Sequence, residues 1–172
     1  MEYWDIYDKD RRFTGRTMRR GDLPAPGDYH IVVQVWITDG NGRFMITQRA
    51  AGKPYPLRWE PTAGSVLAGE TSEQAAVREV KEEIGIDLDP KHGKRIASFR
   101  YDDWVCPGFL DVYVFVQSFS EDEVRMQEEE VIAAHWMDRQ EIMDLIASRQ
   151  FIENNRMTYL EEVLSYQPDD AK

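Results

Sequence analysis

The spacing of apolar residues changes several times along the chain, and each change marks an element. The short runs "YWDIYD" and "FTGRTM" flank the polar "KDRR" and predict a hairpin, after which "RGDLPAPGD" supplies Pro, Gly and Asp for an irregular connection. "HIVVQVWIT" and "RFMITQR" are β-rich and separated by "DGNG", whose Asp-Gly and Asn-Gly pairs predict a turn between paired antiparallel strands. Beyond the loop "AAGKPYPLRWEPTAG" the period becomes helical. Thr71 followed by Gln74 has the spacing of a capping box and Gly85 suits the left-handed residue past a last turn, so a helix is predicted between them. "RIASFRYD" and "FLDVYVFVQS" read as further strands, "HWMD" as a short one, and "RQEIMDLIASRQF" and "RMTYLEEVLSY" as amphipathic helices. Strands first, one helix in the middle and helices at the end predict an α/β fold, with helices packed on a sheet of at least partly antiparallel pairing.

With 172 residues, 42% of them hydrophobic, the chain is expected to form one domain over 1–172. Residues 1–28 are the hairpin and its connection, read as an appendage to the core, and 167–172 form a tail expected to be disordered. The net charge of −11 and the scattered basic residues exclude a nucleic acid polymer as partner. A small phosphorylated ligand stays open, because bound divalent cations reverse the local field. One cysteine, Cys106, leaves no internal disulfide and favours a reducing, cytoplasmic setting. The start "MEYWDIYDKD" lacks a basic, then apolar, export signal, and apolar stretches such as "VYVFV" are strand-sized, so neither secretion nor a membrane is expected.

The predicted helix carries Glu79, Glu82 and Glu83 at i, i+3 and i+4. At about 100° per residue from Glu79, Glu82 falls near about −60° and Glu83 near about +40°, while Val77, Val80 and Ile84 cluster at about 100–160°. Ala75 and Ala76 flank the acidic face one turn earlier, and their small side chains are expected to leave room for a ligand. Arg78 can pair with Glu82 four residues on or reach back to Glu70. Like charges at this spacing weaken a helix by roughly 0.2–0.5 kcal/mol per pair, so a solvated acidic face and a ligand site are both open on spacing alone.

The full pattern over 64–86 is Gly64, Glu70, Arg78-Glu79, Val80, Glu82-Glu83, Gly85 and Ile86. It resembles the Nudix box at every defined position. Gln48-Arg49, "RWEPTAGS" and the "WDIYD" hairpin leading to "GDYHIVV" are similar to the isopentenyl-diphosphate isomerase-like branch of that superfamily, of hydrolase type. The resemblance implies a Nudix fold, a mixed sheet sandwiched between helices, and hydrolysis of a diphosphate linkage in a small X–diphosphate to X–phosphate and a second phosphorylated product. It also implies Mg2+ as cofactor, with Mn2+ an alternative. Glu79 and Glu83 would be direct metal ligands, Glu82 a ligand to a further ion or its water, and Ala63 a ligand through its backbone carbonyl. Gly64, Glu70, Arg78 and Gly85 would shape the box. The general base would be Glu79 or a glutamate of the later "QEEEV", of which Glu130 fits best and Glu128 and Glu129 less well.

Outside the box, Arg49, Lys53 and Arg58 are candidates for substrate phosphate or for plain surface. Trp104, Tyr101 and Phe109, around "WVCPGF", either stack on the group X or pack in the core. His30, His92 and His135 have no metal-ligand spacing and are expected to pack or face water. An isomerase of isopentenyl diphosphate is the alternative within the superfamily, but isomerases of this branch carry a cysteine where this chain has Thr62, Ala63 and Gly64. Cys106 is read as a packing residue. A ligand-binding module without turnover is the alternative outside enzymes, and a homodimer is left open.

Overall fold

The computed structural model describes residues 1–102, 106–152 and 157–168. In chain order the strands and helices are β1 (Tyr3–Tyr7), β2 (Phe13–Arg19), β3 (His30–Thr38), β4 (Arg43–Arg49), β5 (Trp59–Glu60), β6 (Thr62–Ser65), α1 (Ser72–Ile84), β7 (Gly93–Tyr101), β8 (Gly108–Val116), β9 (Val131–Asp138), α2 (Arg139–Ala147) and α3 (Leu160–Leu164). β1 and β2 form the expected hairpin as a separate antiparallel pair, and the other strands form one mixed sheet.

The β3–β4 hairpin differs from expectation. The strands pair only at its tip, Ile37 with Met45 and Thr38 with Phe44. They then diverge: β6 takes the edge of β3 from Val32 to Val35, and β4 goes on to pair antiparallel with β9. On its other edge β3 runs parallel to β8 from His30 to Thr38. "HWMD" is the end of a longer strand, because β4 offers partners back to Val131. The last expected helix is a single 3-10 turn, Met157–Tyr159, followed by the short α3.

Alternation along β3 and β8 builds two cores. Ile31, Val33, Val35 and Ile37 of β3, with Phe109, Tyr113 and Phe115 of β8, face α1, whose Val80 and Ile84 are fully buried. Trp36 of β3, with Leu110, Val112 and Val114 of β8, faces Ile142 of α2 and Val163 of α3. Residues i and i+2 of a strand share a face, so a sheet covered by helices on both sides reads as a near-continuous apolar run. Gln34 of β3 is one buried polar residue among them; it accepts hydrogen bonds from Trp36 Nε1 at 3.3 Å and from the Tyr159 hydroxyl.

α1 begins and ends where its sequence requires. The Thr71 hydroxyl accepts from the Gln74 N–H at 3.2 Å, the Gln74 amide accepts from the Thr71 N–H at 2.9 Å, and Gly85 closes the helix at φ 75°. A Cβ at Gly85 would also stand 2.8 Å from that of Arg125, so glycine is required twice over. Ala75 and Ala76 leave no room for a ligand, contrary to expectation. Both are 0% exposed and belong to the core, where their small size lets α1 lie close on the sheet. Trp104 and the tail residues 169–172 lie outside the described residues.

Candidate active site

Where the sheet splits between β6 and β4, a polar cavity of about 210 Å³ opens over the second half of α1. Five glutamates line it: Glu79, Glu82 and Glu83 from α1, Glu130 from the residue before β9, and Glu2 from the residue before β1. Ala63 and Gly64 of β6 form the wall opposite Glu79. A Cβ on Gly64 would overlap the Glu79 carboxylate, so only glycine lets that side chain lie against the strand.

Arg78 organises the box. Its Nε and Nη2 donate to the Glu70 carboxylate at 2.7 and 3.0 Å, Nη2 also donates to the Ser65 carbonyl at 2.9 Å, and Nη1 donates to Glu79 and Glu82 at 2.9 Å each. Both pairings open from the sequence are therefore made at once. Glu70 also accepts the Leu67 N–H at 3.0 Å. Burial alone would raise the Glu70 pKa, but the Arg78 and Leu67 hydrogen bonds outweigh it and hold the carboxylate below its ordinary range.

The deeper carboxylates are poorly compensated. Burial raises the pKa of Glu79; Arg78 opposes this and neighbouring Glu82 adds to it. Glu83 is pushed well above the ordinary range by burial and then by the charges of Glu60 and Glu79, against which a hydrogen bond from Thr62 is too little. Glu82 is outermost, its side chain 51% exposed. This donor set suits a hard divalent cation, which takes oxygen ligands and would offset the burial and the mutual repulsion that raise Glu79 and Glu83. Among the described residues, however, no three His, Cys, Asp or Glu side chains converge as a finished ligand shell. Arg78 holds Glu79 and Glu82 to itself instead.

The cations around the cavity come from three places. Arg49, at the end of β4, donates to Glu60 and to the Pro54 carbonyl, and Lys53 pairs with Glu130. The N-terminal hairpin adds Arg20 and Glu2, neither of which the sequence singled out. Arg58 is not part of the cavity; its Nη1 points to the Phe151 carbonyl at 3.5 Å. Phe109 also lies elsewhere. It is 6% exposed in the core, tilted against Tyr29 and covered by the Arg11 guanidinium, because its place on β8 points it at the α1 face. Tyr101 meets the His30 ring edge-on, and His30 stacks on Trp4, 4.5 Å between centroids. Burial lowers the His30 pKa. Cys106 Sγ lies 3.6 Å from His30 Nδ1, away from the box. His92 is exposed, and exposed His135 meets Glu121 at 3.1 Å.

A mixed sheet between helices, with a glutamate-bearing loop and helix at its split, defines a Nudix-type α/β protein. The NUDIX domain model matches residues 28–157, and the chain belongs to the Nudix family, as one of its hydrolases. It is 36% identical to a Nudix hydrolase of Listeria monocytogenes over 154 residues, 88% of this chain and 89% of that one. It is 27% identical to an isopentenyl-diphosphate Delta-isomerase of Klebsiella pneumoniae over 133 residues, 69% of this chain and 66% of that one. A crystal structure from Deinococcus radiodurans superposes with a TM-score of 0.71 at 19% identity, covering 95% of this chain and 97% of that one. No helix among the described residues is long and apolar enough to cross a membrane.

Proposed function

We propose that this hydrolase cleaves the diphosphate linkage of a small X–diphosphate, such as a nucleoside diphosphate derivative, into X–phosphate and a second phosphorylated product, with Mg2+ or in its place Mn2+. The supporting observation is one cavity that brings Glu79, Glu82, Glu83 and Glu130 together with Arg49 and Lys53. Glu79 and Glu83 would hold the metal, with the Ala63 carbonyl beside them and Glu82 toward a further ion. Bound metal would offset the negative phosphate oxygens and lower the pKa of a bound water. Arg49 and Lys53 orient the phosphates, each already fixed by a carboxylate. Arg78, anchored by Glu70, holds the Glu79 and Glu82 carboxylates in place in the cavity. Glu79 or Glu130 takes the proton of the attacking water. We read residues 1–172 as one functional unit of the cytoplasm.

The test is a panel of nucleotide sugars, dinucleotides, nucleoside triphosphates and prenyl diphosphates in heavy-oxygen water, with Mg2+. Label should enter one phosphate product, and Glu79→Gln or Glu83→Gln should lower turnover by about a hundredfold or more while leaving the fold intact. Full activity in both variants would refute the assignment. The likeness to isomerases is a second reading, against which Thr62, Ala63 and Gly64 stand at the box and Cys106 lies against His30. NMR of prenyl diphosphate with the protein should show no migration of the double bond.

A further inference from the structure

The hairpin is built into the cavity wall. The Ala68 N–H donates to the Tyr3 carbonyl at 2.8 Å and the Gly69 N–H to the Asp5 carboxylate at 2.9 Å, so β1 is bonded to the loop of the box itself. Trp4 and Ile6 are buried beneath it, and at its tip Arg11 grips Asp111 of β8 at 2.7 and 2.5 Å. The Arg20 N–H closes the open end on the Glu2 carbonyl at 3.0 Å. The position of Arg20 relative to Glu79 is thereby fixed by the sheet and by the box.

Of the cations lining the cavity, Arg20 is the one whose carboxylate partner is most readily exchanged. Arg78 is shared among Glu70, Glu79 and Glu82, while Arg49 and Lys53 are held by Glu60 and Glu130, whose side chains are 12% and 30% exposed. Arg20 donates from Nη1 to Glu2 at 2.6 Å, and the two side chains are 54% and 43% exposed. An exposed ion pair contributes little, because water competes for both charges. A guanidinium on a phosphate makes two parallel charge-assisted hydrogen bonds and is the stronger pairing.

We propose that Arg20 of the N-terminal hairpin is a substrate-binding residue that exchanges Glu2 for a phosphate of the diphosphate substrate. The proposal rests on the cavity being a diphosphate site. Glu2 is then a stand-in for the phosphate, keeping the guanidinium extended beside Glu79 before substrate arrives.

The probe is imidodiphosphate, a non-hydrolysable diphosphate, titrated calorimetrically with Mg2+. Arg20→Ala should weaken binding by about tenfold or more, and Arg20→Lys should recover part of the loss. Glu2→Gln should tighten binding by a few-fold, since no carboxylate has to be displaced. In turnover of a panel substrate, Arg20→Ala should raise KM more than it lowers kcat. A pair that merely held the hairpin would behave differently: both variants would weaken binding and lower the melting temperature together, and that result would overturn the proposal. Unchanged binding by Arg20→Ala in a protein that hydrolyses diphosphates would overturn it alone. Failure of the wild type both to bind the probe and to hydrolyse any diphosphate would overturn the diphosphate reading and this inference with it.

Discussion

Two buried acidic groups lie at opposite ends of α1, and their environments act in opposite directions. At its start, Asp111 of β8 is 0% exposed yet fully paired: Arg11 donates to both oxygens, Ser98 donates at 2.8 Å, and Arg95 stands at 3.3 Å. Burial would raise its pKa, but the hydrogen bonds from Arg11, Ser72 and Ser98 outweigh that and hold it below the ordinary carboxylate range. At the other end, burial and the charges of Glu60 and Glu79 push Glu83 well up. Nothing in the fold requires Glu79, Glu82, Glu83 and Glu130 to share one cavity, whereas the Asp111 cluster clamps the hairpin to the sheet. Uncompensated charge held by a rigid scaffold points to a ligand; compensated charge points to architecture.

The largest effect should come from breaking the compensated cluster. Asp111→Ala removes the anion from Arg11, which sits in the hairpin turn at φ 62°, a conformation unfavourable for a residue with a side chain. Loss of one member of a buried pair should lower stability by about 3 kcal/mol, measured by urea denaturation. Glu83→Gln should do the opposite in chelated, metal-free protein and raise stability, because a neutral amide avoids the burial of charge and the repulsion by Glu60 and Glu79 that push the Glu83 pKa up. An equal loss of stability in both variants would erase the contrast between the two ends of α1.

Their pH dependence should also run in opposite directions. The folded pKa of Asp111 is depressed, so its contribution is present above the ordinary carboxylate value and is lost as pH falls through the folded value. The stability gap between wild type and Asp111→Ala should therefore close in acid. The folded pKa of Glu83 is raised, so the protonated group contributes fully below the ordinary value and that contribution is lost as pH rises through the folded one. The advantage of Glu83→Gln over wild type should be absent near the ordinary carboxylate value and should grow toward neutrality. Melting temperatures of the three proteins across pH, with a chelator present, would test both trends.

The sequence exposed most clearly what is decided within a few residues. Thr71, Gln74 and Gly85 set the ends of α1 through contacts one turn apart, and the glutamate spacing placed Glu79, Glu82 and Glu83 along one helix flank. What was hidden depends on partners far along the chain. No local signal shows that β6 displaces β4 from β3, or that β8 joins β3 in parallel. Ala75 and Ala76 read as space for a ligand because periodicity gives an angle but not the distance to the sheet that covers it. Arg20 and Glu2 read as parts of an appendage because their place in the cavity depends on Ala68 and Gly69 holding β1. Asp111 did leave a signal, an acid inside the apolar "FLDVYVFV", where an unpaired carboxylate would be costly.

The smallest expected difference lies within one run of like residues. Glu128, Glu129 and Glu130 are adjacent, but only Glu130 lines the cavity; Glu128 and Glu129 are exposed. The backbone explains this: the Glu130 N–H donates to Gln127 at 2.8 Å and its carbonyl accepts the Ala50 N–H at 2.9 Å, which turns its side chain to Lys53. A base or metal ligand at this position should matter, and a solvated acid two residues away should not. Glu130→Gln should lower turnover by about tenfold or more and distort one limb of the pH–rate profile, whereas Glu128→Gln should stay within about twofold of wild type. Lys53→Met separates two explanations for a loss at Glu130. If Glu130 only positions Lys53, removing the lysine should reproduce the whole loss with the pH profile unchanged. If Glu130 itself handles the proton or the metal, Lys53→Met should raise KM while leaving both limbs of the profile where they are, and only Glu130→Gln should move one.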